Sequence, residues 1–166
     1  MNAAHIHLLL NHVPILGTAF VVPLLLWAIV RKSDEVARVA LVALVAIAIA
    51  TIPVFRSGEH AEELVEDQPG VTEQWIEQHE GIAKVALGAA LLLGVVAFGG
   101  LAMFRSKAVP VGFTTFTLLL TLGTAGLMAT TGWHGGHIRH TEIRTGAAGE
   151  GGTKAGGGRV GGADSA

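Results

Sequence analysis

Apolar residues fall in four blocks along the chain, at approximately 8–30, 36–54, 82–104 and 108–130, with charged or polar segments between them. A helix of this length rises far enough to cross a hydrocarbon core of roughly 30 Å. Backbone groups in lipid must be hydrogen-bonded within their own segment, which favours helices over irregular chain. The pattern predicts an all-α protein, an antiparallel bundle of four transmembrane helices.

Composition agrees with this prediction and excludes several kinds of site. Hydrophobic residues make up 51% of the chain and charged residues 14%, against roughly 25% charged in soluble domains. The absence of Cys excludes disulfides, thiolate metal sites and covalent haem attachment. With a net charge of −2 and no basic cluster, nucleic acid is not an expected partner. The first block is interpreted as a retained span, because no basic residue precedes Arg31 and no cleavage site follows.

Charge in the connections predicts the orientation. The two short connections, 31–38 and 105–107, are basic, whereas the long connection 56–81 is acidic apart from Arg56. Because basic loops stay in the cytoplasm, both termini are expected on the outer side of the membrane. The expected location is a bacterial inner membrane crossed several times, with short cytoplasmic turns and periplasmic termini.

The chain divides into a membrane domain, 1–144, and a tail, 145–166. Within the first, segment 56–81 is an outer loop interrupted by Pro69-Gly70. The tail is rich in Gly and has no apolar periodicity. Such a composition predicts a disordered segment.

Histidines supply the candidate chemistry, and the predicted topology places all eight on the outer side. The chain reads as two rough repeats, each with a histidine, a span, a basic turn, a span and a G-x-H exit. His12 and His79 begin the repeats, while Gly58-Glu59-His60 and Gly132-Trp133-His134 end them. Facing helices in a bundle build metal and haem sites in this way.

His12 is the most informative of these residues in the sequence. It lies inside the first apolar block beside Asn11. Polar groups at membrane depth usually face the bundle interior with a partner. In the last span, a stripe of small and medium-sized residues is interpreted as helix packing; it contains Thr114, Thr117, Thr121, Thr124, Met128 and Thr131.

The first functional hypothesis is a haem b site at the outer end of the bundle. Neutral imidazoles from two helices would ligate the iron, and the candidates are His12, His60, His79 and His134. The protein would then be an electron-transfer subunit rather than a stand-alone enzyme. Its redox partner would be a quinol or a periplasmic carrier.

Two other hypotheses stay open at this point. Imidazole and carboxylate ligands such as His7, His137 and Glu63 would suit Zn, Fe or Cu without haem. Alternatively, the histidines are interfacial residues of a structural membrane protein that has no cofactor. The lipid bilayer is a partner in every case, and the sequence leaves open a homo-oligomer or a subunit of a membrane complex.

Short motifs connect the chain with a known group of proteins. The motif His7-x4-His12-x-Pro14-Ile15, the pair Gly58 and His79, and the stretch Thr131–Gly136 resemble a bacterial family of small four-span membrane proteins of unknown function. The resemblance covers roughly residues 5–140 and implies a four-helix bundle but no established activity. Asn11, the long acidic loop and the Gly-rich tail depart from the family pattern. A general likeness to b-type membrane cytochromes accompanies it.

Overall fold

The computed structural model describes residues 2–140. Within them, the helices are α1 (Ala3–Leu10), α2 (His12–Arg31), α3 (Asp34–Glu62), α4 (Glu73–Met103) and α5 (Val111–Arg139). Only a turn at Asn11 separates α1 from α2, so the two form one span. Four segments of this part of the chain are long and apolar enough to cross a membrane: Ala3–Arg31, Asp34–Glu62, Glu73–Met103 and Val111–Ile138. The predicted all-α class with four spans is confirmed, and the tail 145–166 lies outside the described residues.

Local features at the helix ends keep the connections short. Lys32 ends α2 with a left-handed backbone, φ 49°, and its N–H donates to the carbonyls of the last turn. Ser33 then caps α3, its Oγ accepting from the N–H of Val36 at 3.3 Å, which satisfies a backbone donor of the first turn. Between α3 and α4, Gly70 has a φ of 84°, at the predicted Pro69-Gly70 break. The helices extend far into the predicted outer loop, because α3 reaches Glu62 and α4 begins at Glu73.

The four long helices pack in the cyclic order α2, α3, α4, α5, since α3 and α5 each contact both α2 and α4. Small residues, threonines and a few leucines occupy the centre, and Leu25, Ala40, Ala97, Thr117 and Thr121 have no exposed surface. The two threonines donate to the carbonyls four residues earlier, so no hydroxyl is left unpaired in the core. Large apolar side chains face outward, where lipid suits them better than water; among them are Phe20, Phe98 and Leu119.

At one end of the bundle, hereafter the turn end (Arg31–Asp34 and Phe104–Pro110), a polar clamp joins the two short connections. Arg38 donates from Nη2 to the carbonyls of Phe104 and Lys107, at 2.8 and 2.7 Å, and from Nε to Asp34 at 2.7 Å. The other oxygen of Asp34 accepts from the N–H of Val109 at 2.7 Å. Charged groups form stronger hydrogen bonds than neutral ones, so this clamp ties the beginning of α3 to the connection before α5.

The burial pattern shows that the chain contains the same helical hairpin twice. Helices α3 and α5 both have 29 residues, and their first residues lie 77 positions apart. When 72 is added to the residue number of a buried position in α2, the result is a buried position in α4. The pairs are Pro14/Ala86, Thr18/Ala90, Val21/Leu93, Leu25/Ala97 and Ala28/Gly100. Buried positions of α3 and α5 correspond in the same way when 77 is added to the residue number. The pairs are Ala37/Thr114, Ala40/Thr117, Leu41/Leu118, Leu44/Thr121 and Thr51/Met128.

The two hairpins are arranged symmetrically in the bundle. Equivalent helices, α2 with α4 and α3 with α5, occupy opposite corners of the cyclic order. An approximate two-fold axis therefore runs along the centre of the bundle. The two shifts differ by five because the connection between the helices of the second hairpin, 104–110, is five residues longer than that of the first, 32–33. Any group on the axis meets matching residues from both halves.

We expect Gly94→Ala to destabilise the bundle. A Cβ at position 94 would overlap the Cβ of Ala48 on α3, and overpacking of a close helix contact costs about 1–3 kcal/mol. Gly88→Ala on the same helix is the matched control, because a Cβ there would have nothing within 4 Å. Thermal unfolding in detergent should show a lower Tm for Gly94→Ala only. Equal Tm values for the two variants would contradict the close α3–α4 packing.

Candidate cofactor site

His7 is held in the bundle interior by α3. Its Nδ1 lies 3.2 Å from the carbonyl oxygen of Val54 and 3.1 Å from Oγ of Ser57. The Ser57 hydroxyl itself donates to the Val54 carbonyl at 2.7 Å. A carbonyl oxygen can only accept, so the contact with Val54 assigns the proton to Nδ1. Nε2 of His7 is then the nitrogen with a free lone pair.

His79 has the same environment in the second half. Its Nδ1 lies 3.0 Å from the carbonyl oxygen of Thr131 on α5, and the same reasoning assigns the proton to Nδ1. His7 and His79 are equivalent positions of the two hairpins by the shift of 72, and Val54 and Thr131 are equivalent by the shift of 77. The same contact is therefore made in both hairpins. Metal-binding histidines typically donate their second ring nitrogen to a carbonyl in this way, which fixes the tautomer and the ring orientation.

A glycine lies beside each imidazole, again at equivalent positions. A Cβ at Gly58 would lie 3.1 Å from Cε1 of His7 and 3.8 Å from its Nε2. A Cβ at Gly135 would lie 3.1 Å from Cε1 of His79 and likewise 3.8 Å from its Nε2. Each glycine follows the carbonyl that anchors its histidine by one helical turn. Nδ1 is nearer than Nε2 in both cases, at 3.5 Å from the Cβ position of Gly58 and 3.3 Å from that of Gly135. Each glycine therefore leaves room for the Cε1–Nδ1 edge of the neighbouring imidazole.

The two anchored imidazoles meet at the end of the bundle opposite the turn end, hereafter the histidine end (His7, His79 and His134). Their ring centroids are 6.4 Å apart and their planes are nearly perpendicular, at 84°. A ring nitrogen binds a transition metal at about 2.0–2.1 Å, so two imidazoles on opposite sides of one metal have centroids about 6.3 Å apart. The observed centroid separation is close to that value.

A third imidazole and two indoles lie on the α4–α5 side of this pair. His134 precedes Gly135, and its ring contacts Trp133 at 4.7 Å and Trp75 of α4 at 6.2 Å between centroids. Nδ1 of His134 is buried and has no hydrogen-bond partner among residues 2–140. Oδ1 of Asn11 is the other such atom in the described part of the chain. Buried polar atoms without partners often mark the place of a ligand or an ordered water.

Two of the histidines predicted as haem ligands lie elsewhere. His12 and His60 are exposed, and the Nδ1 of each lies near the carbonyl four residues earlier in its own helix, at 2.8 and 3.0 Å. Within residues 2–140, neither makes a ring contact with another histidine. His79 and His134 are at the histidine end, and the structure brings His7 to His79, a pairing that the sequence interpretation did not propose.

The residues suggested for a metal without haem are not gathered together. His137 is buried and stacked on Trp75, with centroids 4.9 Å apart, while Glu63 is exposed at the end of α3. Within the described range 2–140, no group of three or more His, Asp or Glu side chains is placed to hold a metal ion. Among residues 2–140, the close contact between imidazoles is the pair His7 and His79.

Fold and site together define a multi-pass membrane protein whose duplicated hairpins bring two backbone-anchored imidazoles to the bundle axis. No protein-family model, curated protein or solved structure matches the chain. The resemblance to the bacterial family of unknown function stays a prediction. Four long apolar helices, as in a small four-span membrane protein, are what the structure itself shows.

Proposed function

We propose that the protein binds haem b between His7 and His79 and acts in membrane electron transfer. The matched geometry of these two residues carries the proposal, because both imidazoles are anchored through Nδ1, which leaves the lone pair on Nε2, and their centroids are 6.4 Å apart. Haem needs only two ligands from the protein, since the porphyrin supplies the other four. A pair of imidazoles suffices for haem, whereas a metal without a porphyrin needs a larger set.

The symmetry of the surroundings supports a group shared by both halves. His7 and His79 come from opposite corners of the bundle, and Gly58 and Gly135 come from the other two corners. A planar group on the axis would thus have an imidazole on each face and a glycine towards each side. Because the chain has no Cys, the haem would be held without covalent bonds.

Each protein group has a defined part in this proposal. The Val54 and Thr131 carbonyls hold the proton on Nδ1, which orients the rings and makes Nε2 more basic. The apolar bundle excludes water and thereby influences the reduction potential. Bound haem supplies one-electron transfer at this end of the membrane.

Charge in the connections supports an outward-facing site. Five basic residues lie at or beside the turn end, namely Arg31, Lys32, Arg38, Arg105 and Lys107, and the positive-inside rule places them in the cytoplasm. The histidine end and both termini then face the periplasm of a bacterial inner membrane, in an antiparallel bundle. An electron partner reaches the haem from that side, either as a quinol in the lipid or as a periplasmic carrier.

An optical spectrum of the full-length protein tests the proposal. Protein purified in detergent after expression with added haem precursor should show a Soret band, sharp α and β bands on reduction, and one haem per chain. Two imidazole ligands make the iron six-coordinate and low-spin, which the reduced bands report. A protein that contains no porphyrin, or that contains metal without porphyrin by elemental analysis, overturns the proposal.

A further inference from the structure

The two hairpins differ on one side of the bundle, between α4 and α5. Trp75 of α4 is equivalent to Ala3 of the first hairpin by the shift of 72. Trp133 and His134 of α5 are equivalent to Arg56 and Ser57 of α3 by the shift of 77. The first hairpin forms the same helix pair without any of these rings. The cluster of Trp75, Trp133 and His134 is therefore not needed for the fold, and it calls for another explanation.

The same side also carries a groove, at a position that a side chain fills in the first hairpin. An open groove with a volume of about 240 Å³ runs between α4 and α5 in the membrane-spanning part, and it is almost entirely apolar. Thr124 and Ala89 line it, together with leucines of both helices. In the first hairpin the equivalent positions hold Ile47 and Gly17, and the Ile47 side chain lies directly over Gly17. Ile47 fills this space in the first hairpin. Thr124 is smaller, so the same space stays open in the second hairpin.

We propose that the α4–α5 side of the bundle binds a prenylated quinone, with its ring at the cluster of Trp75, Trp133 and His134 and its tail in the groove. The buried and unpaired Nδ1 of His134 provides a hydrogen bond to a ring oxygen. Trp133 is 55% exposed and offers a flat apolar surface to the ring, whereas Trp75 is already stacked on His137. From Leu127 at the groove to His134, seven residues of α5 rise by roughly 10 Å, which a prenyl tail easily spans.

This site lies next to the imidazole pair. His134 precedes Gly135, whose backbone lies against the ring of His79. The role of the quinone as electron partner of the haem rests on the proposed function, whereas the binding itself does not. A phospholipid acyl chain would also fit the groove, but it has no flat polar ring for the cluster at the end.

Quenching of tryptophan fluorescence by decylubiquinone tests this site. The full-length chain would carry Trp27→Phe, so that the signal comes from Trp75 and Trp133, and would be measured in phosphatidylcholine nanodiscs both with and without haem. We expect saturable quenching. Thr124→Ile, which introduces the residue of the first hairpin, should weaken binding by about tenfold or more. Thr115→Ile is the matched control, because Thr115 is exposed on the same helix.

The ring contact is tested with His134→Ala, which should also weaken binding about tenfold, and with His134→Gln, which keeps a hydrogen-bonding group and should restore part of it. Equal quenching in all variants means simple partition into lipid and overturns the inference. Loss with Thr124→Ile but not with His134→Ala means that an acyl chain occupies the groove, which overturns it as well. Quinone binding by a chain that takes up no haem would leave this site intact and refute the haem proposal alone.

Discussion

His7→Ala and His79→Ala should each abolish the spectrum of six-coordinate low-spin haem, and these are the largest effects that the structure predicts. Each substitution removes one of the two imidazoles on the bundle axis, and no other described histidine is in ring contact with both of them. We expect haem content to fall at least about tenfold, since even the loss of a group that orients a ligand costs about 10–100-fold in affinity. Any haem that remains should be five-coordinate and high-spin.

His12→Ala and His60→Ala are the matched controls. Both residues are exposed imidazoles close in sequence to the proposed site, and each contacts only a carbonyl of its own helix. Their spectra should equal that of the unaltered protein. Added imidazole should restore the low-spin bands of His79→Gly, because the cavity left by the side chain accepts a free ligand. Loss of haem in His12→Ala with retention in His7→Ala would refute the assignment.

The close pairing of His7 with His79 was harder to predict from sequence than the spans were. His12 drew attention because it lies beside Asn11 in an apolar block, yet its side chain is exposed. The buried stripe of α2 begins at Pro14 and continues through Thr18 and Val21. His7 lies seven residues before Pro14 and so shares its face, whereas His12 lies two residues before it, on the opposite side. The helical periodicity of the buried positions therefore distinguishes His7 from His12.

The sequence repeat was recognised, but its register was wrong. A match of G-x-H motifs pairs Gly58 with Gly132, whereas the structure pairs Gly58 with Gly135. The stretch Gly132–His137 contains three glycines and two histidines, so several registers match equally well by residue type. The buried positions of α3 and α5 that match at a shift of 77 decide between them. The carbonyl contacts of His7 and His79 agree, because they show which turn of α3 and α5 faces each ring.

The symmetry of the bundle explains why so little of the site is visible in the amino-acid sequence. Equivalent positions share burial rather than identity, as in Thr18/Ala90, Leu25/Ala97 and Leu44/Thr121. Lipid offers no hydrophobic drive for helix association, so the fit between neighbouring helices matters more than the residue type at any one position. The four spans follow from hydropathy alone. The equivalence of the two hairpins can be recognised only from the packing of the helices in the structure.

Gly58→Leu and Gly135→Leu should disrupt the site almost as strongly as loss of an imidazole. A Cβ at either position would already lie 3.1 Å from Cε1 of the adjacent histidine, so an isobutyl group must displace the ring. The displaced ring loses its bond to Val54 or Thr131 and with it the orientation of Nε2. We expect haem content to fall by about 10–100-fold, as for the loss of other groups that orient ligands.

Gly126→Leu is the control for this series, because Gly126 is exposed on α5 and a Cβ there would have nothing within 4 Å. Alanine at 58 or 135 should have a smaller effect than leucine, since the neighbouring ring needs to move by only a few tenths of an ångström. Circular dichroism should show the same helix content in every variant. Full haem occupancy with a native spectrum in both leucine variants would be incompatible with an iron between His7 and His79. A loss confined to one of the two would instead locate the cofactor off the bundle axis, in the hairpin whose glycine proved sensitive.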